Sequence, residues 1–190
     1  MTISLIIPAY FANSDLQNMT AECIKTIHED IQIILIANHA PYTVNVNDGL
    51  RAATGDVLII GNNDLTFVDG WVEGLLKVLD AGYDIATCWT SDQNDIKLED
   101  RISEGEKFGS LFAMKAHVYD TIGGFDEQFK GYFSDLDYLQ RAKGAGFRFG
   151  KNLNLVVGHK AKATYAATDP DDTEYHRSMR LFEAKWGFIE

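Results

Sequence analysis

The chain has 190 residues, a formal net charge of −11 and two cysteines, which suits one domain that buries roughly 70% of its unfolded surface without a disulfide or a structural metal. So acidic a balance argues against a large nucleic-acid interface, which needs clustered Lys and Arg, though not against a small nucleic-acid substrate. No apolar run reaches the length of a membrane span and no charged-apolar-small leader precedes Thr2, so the expectation is a soluble, cytoplasmic protein with Cys23 and Cys88 as buried free thiols.

Taken in order, Thr2 to Ile7, ended by Pro8, reads as a buried strand. Ser14 and Gln17 make a capping-box pattern for a helix to about His28, with Leu16, Met19, Cys23 and Ile27 on one face. Ile31 to Ala37 is a second strand, stopped by Asn38-His39-Ala40-Pro41. A short helix follows with Val46, Leu50 and Ala53 inward and Gly55 as its stop. The third strand, Asp56 to Gly61, is a branched apolar run that needs burial on both faces, and it runs straight into Asn62-Asn63-Asp64. Two successive strand-helix-strand units imply right-handed crossovers and a parallel sheet covered on both faces. The polar tip of such a strand emerges at the carboxyl edge, where open α/β sheets bind ligands. A carboxylate there, beside amides and without an adjacent Lys or Arg, suits a hard divalent cation bridging to phosphate oxygens. Taken alone, the triplet favours a plain turn.

In the second half, Asp69 is placed to cap a helix whose Trp71, Leu75, Val78 and Leu79 face the sheet, before a strand at about Tyr83 to Trp89. Ser91 to Lys107 is polar and lacks apolar periodicity, which predicts a mobile surface loop beside the site. Phe108 to Met114 is a further strand, His117 to Ile122 a short helix and Gly123 to Glu127 a turn. Leu136, Leu139 and Ala142 carry a helix ended by Gly144 or Gly146. Arg148 to Gly158 gives one or two strands leading to His159. A closing helix from about Asp172 to Trp186 repeats Tyr175, Met179, Phe182 and Trp186 at helical spacing, and Trp71 and Trp186 read as core. The expected organisation is a single domain with a nucleotide-binding half over 1–66, an acceptor and catalytic half over 67–160, and a C-terminal helix over 161–190 that packs back on it.

Several stretches occur in an order and spacing that cover nearly the whole chain: Ser4 to Tyr10; Asn47-Asp48-Gly49 with Ala53, Gly55 and Asp56; Asn62-Asn63-Asp64; Gly123-Gly124-Phe125-Asp126-Glu127; Tyr132 to Asp137; His159; and Lys185-Trp186-Gly187. Together they resemble the family-two glycosyltransferases of the GT-A fold, in particular the branch resembling bacterial rhamnosyltransferases. The resemblance implies an α/β fold with a central, mostly parallel sheet and helices on both faces. It also implies a nucleotide-diphosphate sugar donor (UDP-, dTDP- or GDP-linked), a divalent metal such as Mn2+ or Mg2+, and transfer to a hydroxyl of a glycan or other compound with inversion at the anomeric carbon.

Residue by residue, the resemblance makes Asp64 the last acid of the family's DxD motif and a metal ligand. Asn62 stands where the first acid usually stands, with Asn63 beside it on the donor side; an amide there can still bond a ribose hydroxyl. His159 matches the histidine that closes the metal site, and neutral imidazole suits manganese. Asp135 matches the general base, the second letter of a Glu-Asp motif that here reads Ser134-Asp135, with a helix N-terminal cap as its competing role. Asp137 contacts the acceptor or holds the loop. Asn38 stands where relatives carry an Asp that reads the donor base, and Pro8 and Tyr10 contribute to the base pocket, Tyr10 by stacking. Trp89 is expected on the acceptor side.

Three other readings compete. A sugar-phosphate nucleotidyltransferase would want a glycine-rich, basic loop after the first strand, which Pro8 to Asn13 does not offer. A noncatalytic nucleotide-sugar or glycan-binding module is favoured by the replacements at Asn62 and Ser134. Glycosylation of modified nucleic acid is disfavoured by the acidic balance. The compact chain also predicts an enzyme adding a single sugar, with Ser91 to Lys107 ordering over bound substrates.

Overall fold

A computed structural model describes residues 1–11, 13–105, 108–160, 169 and 171–187. The strands are β1 (Ile3–Tyr10), β2 (Gln32–Asn38), β3 (Val57–Gly61), β4 (Leu65–Thr66), β5 (Ile85–Thr90), β6 (Ile102–Glu104), β7 (Leu111–Lys115) and β8 (Phe149–His159). The helices are α1 (Ser14–Lys25), α2 (Tyr42–Ala52), α3 (Trp71–Asp80), α4 (Ala116–Ile122), α5 (Ser134–Gly144) and α6 (Thr173–Trp186). The sheet runs β2-β1-β3-β7-β5-β8-β4, with β6 also paired to β8.

Both predicted strand-helix-strand units form, since β1 lies parallel to β2 and to β3. Beyond them the sheet is mixed. β7 is antiparallel to β3 and to β5, β5 is parallel to β8, and β4 and β6 are antiparallel to β8. Successive side chains of a strand point to opposite faces, and β1 divides accordingly. Leu5 and Ile7 join Ile59, Trp71, Leu75 and Val78 on one face, whereas Ile6 joins Ile60, Phe112, Phe125 and Tyr138 on the other. β3 is buried at every position, as its branched apolar run requires.

Several local expectations give way. The α1 cap is Asn13, whose Oδ1 accepts from Leu16 N–H at 3.0 Å, and Ser14 is the first helical residue. α3 starts from Gly70 at φ 77° without a side-chain cap, and Asp69 is exposed, 3.8 Å from His28 Nδ1. Part of the polar stretch after β5, expected as a loop throughout, pairs with β8. Glu99 N–H donates to Leu153 O at 3.2 Å, Leu153 N–H to Arg101 O at 3.2 Å, and β6 pairs with β8 beyond them. The reason is that β8 is one 11-residue strand whose backbone groups need partners along its length. The end of that stretch, residues 106 and 107, lies outside the described residues, as does most of 161–170. Among the described residues no helix is long and apolar enough to cross a membrane. Cys23 and Cys88 are buried and unpaired, and burial pushes their thiols up to about 11 and about 12.

Of its two expected roles Asp137 takes the holding one, and Trp186 leaves its expected place with it. The Asp137 side chain is fully buried and takes Arg141 Nε at 3.0 Å, Lys185 Nζ at 2.7 Å and the Trp186 Nε1–H at 2.9 Å. Trp186 is 40% exposed and fastens α6 through its N–H instead of filling the core. Asp137 thus ties α6 to α5. Removing one partner of a buried ionic cluster strands the others, so Asp137→Ala is expected to lower the unfolding free energy by about 3–5 kcal/mol, read from urea titration. A change below about 1 kcal/mol would show that α6 is held by its apolar contacts alone.

Candidate active site

The topology gathers chain ends at one edge. β1 and β3 are parallel, β7 runs against both β3 and β5, and β8 runs with β5. The carboxyl ends of β1, β3, β5 and β8 therefore emerge together, beside the amino end of β7. A cavity of about 840 Å³ opens there. Pro8 and Tyr10 come from β1, Asn62, Asn63 and Asp64 from the end of β3, Asp92 from beyond β5, Ser110 from the start of β7 and His159 from the end of β8.

At its floor His159 stands between two carboxylates. Its Nε2 lies 3.1 Å from Asp64 Oδ1, and its Nδ1 lies 2.9 Å from Asp92 Oδ1 and 3.1 Å from Ser110 Oγ. The His159 N–H also donates to Ser91 Oγ at 2.9 Å. Asp64 is 6% exposed, and its Oδ1 is buried without an aligned hydrogen bond, so the contact with Nε2 is an ion-pair approach only. Burial works against the imidazolium, but the flanking Asp64 and Asp92 outweigh it and hold the ring's pKa above its usual value. Burial likewise works to raise Asp92, while hydrogen bonds from His159 and Thr90 hold it below the usual carboxylate range. Among the described residues no group of three or more His, Cys, Asp or Glu side chains forms a ready metal cage. Asp64 and His159 offer two ligands of the kind a divalent cation takes.

Asp135 reaches the same cavity. It is the second residue of α5, and the cap position is Phe133, at φ 63° and without a side-chain cap bond. The carboxylate is therefore not the N-cap, and it keeps access to the cavity while protein surrounds it on most sides. Desolvation raises its pKa, with the N–H groups of Leu136 and of Asp135 itself opposing that shift. Ser134 is 1% exposed, and its hydroxyl donates to Gly131 O at 2.6 Å.

The cavity brings together Pro8, Tyr10, Asn62, Asn63, Asp64, Asp135 and His159 of the residues singled out in the sequence. Asn63 is almost closed off, its Nδ2 donating to Thr20 Oγ1 at 2.8 Å. Three others stand elsewhere. Asn38 is exposed, and its Oδ1 is taken by the Ala40 N–H at 2.8 Å because the strand ends in a turn that needs a local acceptor. Asp137 is the buried tie described above. Trp89 lines an adjoining cavity of about 430 Å³, with Lys151 Nζ 3.1 Å from its ring centroid, because the bulge in β5–β8 pairing falls between Cys88 and Trp89. Conversely, Asp92, Ser110, Asn45, Tyr132 and Tyr175 line the main cavity without having been singled out for it. The signal for Asp92 was its place just beyond a strand end; for Asn45, buried with its Oδ1 unpartnered, the sequence carried none.

The raised His159 pKa fixes the sign of a pH effect. A group whose folded pKa lies above its unfolded value of about 6.5 contributes stability below that value and loses it as pH rises through the folded pKa. In metal-free protein the melting temperature of wild type should therefore fall relative to His159→Gln as pH goes from about 6 to about 9. A difference that stays constant over that range would mean that the imidazole is not charged between its carboxylates.

The glycosyl transferase family 2 profile matches residues 37–139, just over half of the chain. Among solved structures, S. aureus TarS 1-349 superposes with a TM-score of 0.65 at 10% identity, over 97% of this chain and 65% of that one. S. aureus TarS superposes with a TM-score of 0.64 at 10% identity, over 97% of this chain and 39% of that one. A197 from STIV gives a TM-score of 0.61 at 13% identity, over 85% of this chain and 87% of the other. The chain therefore spans less than two thirds of either TarS chain. No curated protein matches it. The central sheet flanked by helices is the GT-A arrangement, and the profile match shows that the chain belongs to glycosyl transferase family 2.

Proposed function

We propose that the protein moves one sugar from a nucleotide-diphosphate sugar to an acceptor hydroxyl with inversion, in a reaction that depends on a divalent metal and uses Asp135 as general base. The observation that carries this reading is the cavity wall. Asp64, Asp92, Asp135, Asp169 and Asp172 line it with His159, and among the described residues no Lys or Arg side chain does. A diphosphate brought among these carboxylates needs a cation to screen it.

Asp64 and His159 fit that cation, since the buried Asp64 Oδ1 has no hydrogen bond and faces the imidazole Nε2 at 3.1 Å. Asp92 and Ser110 on Nδ1 orient the ring, as outer partners of metal-bound histidines do. Two protein ligands suit Mn2+ or Mg2+, which take further oxygens from a diphosphate and water. The bound metal supplies neutralisation of charge on the departing diphosphate. Pro8, Tyr10 and Asn45 flank the base, and Asn62 and Asn63 lie on the donor side. Asp135 takes the proton of the acceptor hydroxyl as its oxygen attacks the anomeric carbon, through an oxocarbenium-like transition state. Its raised pKa suits it to that proton. The family match supports a nucleotide-sugar donor, and the rhamnosyltransferase-like order of motifs favours a hexosyl or deoxyhexosyl group.

Calorimetry with UDP-, dTDP- and GDP-linked sugars, in Mn2+, in Mg2+ and in chelator, tests the reading. One donor is expected to bind at least about tenfold more tightly with metal, and Asp64→Asn should abolish that gain. Donor affinity indifferent to chelator would refute the metal role. Asp135→Asn is expected to keep donor binding and lower transfer by about 10² to 10⁴ fold; wild-type turnover in that variant would remove Asp135 from the reaction. Donor binding without transfer or donor hydrolysis in wild type would instead point to a binding module.

A further inference from the structure

One stretch of the cavity wall is built from aromatic rings that belong to neither hydrophobic core cluster. Tyr132 and Phe133, just before α5, meet Tyr175 in the first turn of α6. The Tyr132 and Tyr175 rings stand edge to face, with centroids 5.3 Å apart at 87°, and Phe133 lies 5.4 Å from Tyr175. Phe182, 5% exposed, supports Phe133 from behind at 5.8 Å. Tyr175 has helical spacing with Phe182, yet it stays 37% exposed. Phe133 holds a left-handed backbone at φ 63°, a conformation that strains a non-glycine residue, and this conformation begins the helix that carries Asp135.

The same stretch is acidic. Asp135, Asp169 and Asp172 line it. Asp169 also accepts the N–H groups of Glu174 and Tyr175 at 2.9 and 3.0 Å, which fixes the backbone of Tyr175. Burial, with Asp169 and Asp172 nearby, pushes the Tyr132 phenol up, so it remains an O–H donor. Aromatic faces take the apolar C–H face of a sugar ring, and phenol and carboxylate groups take its hydroxyls. A phosphate or carboxylate on the ligand meets like charge with no described cationic side chain on the cavity wall to offset it.

We propose that this wall is the acceptor site and that it takes an uncharged carbohydrate, one ring of which lies on Tyr132 and Tyr175 and presents a hydroxyl to Asp135, while phosphate-bearing acceptors are turned away. The inference rests on the transferase reading above and names its acceptor class.

Saturation-transfer NMR on the wild-type chain separates the two. The sample holds Mg2+ and, in turn, UDP, dTDP or GDP, and the probes are the methyl glycosides of glucose, galactose, mannose and rhamnose, with glucose 6-phosphate as the charged counterpart. At least one methyl glycoside should show saturation on its ring C–H protons. Tyr175→Ala and Tyr132→Leu should each weaken that glycoside about tenfold or more, Tyr175→Phe should retain it, and glucose 6-phosphate should give no signal. A phosphorylated sugar that binds as well as its neutral counterpart, or glycoside binding indifferent to both ring removals, would overturn the proposal. Nucleotide signals without any glycoside signal would overturn it and leave the transferase reading standing. Absence of both signals would bring down the transferase reading and the acceptor site with it.

Discussion

Everything at the candidate site depends on strand direction. Because β7 is antiparallel to the strands on either side of it, β5 and β8 point the same way as β1 and β3. Asp64, Asp92 and His159, 28 and 67 residues apart in sequence, thereby arrive at one edge. A fully parallel continuation would need another crossover helix to achieve this, whereas here the reversed strand between β3 and β5 lets Ser110 enter the edge from its amino end. The Asp64–His159–Asp92 contact is the consequence, and it is a contact of charges gathered by topology rather than by sequence proximity.

That gathering concentrates negative charge, and the rest of the molecule is arranged to tolerate it. Among the described residues no Lys or Arg lines the cavity, and several of them tie elements together elsewhere. Lys185 bridges Asp126 and Asp137, Arg141 holds Asp137 and reaches the carbonyls of Ile122 and Gly124, and Arg177 reaches the Gln128 carbonyl. These ties clamp the segment 122–137 that carries Asp135 between α5 and α6. Among the described residues the charged groups on the cavity wall are carboxylates, with one imidazole beside them, a field that favours cations and neutral ligands over bare anions.

Much of this was legible in the sequence. The buried run from Val57 to Gly61 required a central strand, its polar tip required an edge, and the two strand-helix-strand units required β1, β2 and β3 to run parallel; all three follow from patterns that act locally. The residues that escaped share a different physics. The family resemblance put Asp137 and Asn38 near the site, but the partners they have here, Lys185 with Trp186 in one case and the Ala40 N–H in the other, are settled by three-dimensional packing or by a turn. Asp92 sat in a stretch without apolar periodicity, which reads as loose; it is held by His159 and, through the Ser91 N–H on Val157 O, by β8, and neither leaves a period in the sequence. Tyr175 has the spacing of a core residue, and its 37% exposure is visible only once α6 is docked.

The two departures from the family pattern can now be weighed against structure. Ser134 is not an empty place where an acid was lost: its hydroxyl closes a turn on Gly131 O, and at 1% exposure there is no room for a longer carboxylate without moving the start of α5. The strained backbone at Phe133 sits next to it, so the turn and the aromatic wall are one construction. In the proposed reaction the work of positioning an acceptor beside Asp135 accordingly passes to that wall, with Asp169 and Asp172 as its carboxylates. Asn62 differs in kind. Its N–H is fixed by Ser110 O at 2.9 Å and its carbonyl faces Cys23 Sγ at 3.7 Å, so the backbone is set while the amide side chain borders the cavity. An amide there adds no further negative charge to a wall on which five described carboxylates already stand, and in the proposed reaction Asp64 is the acid that meets the cation.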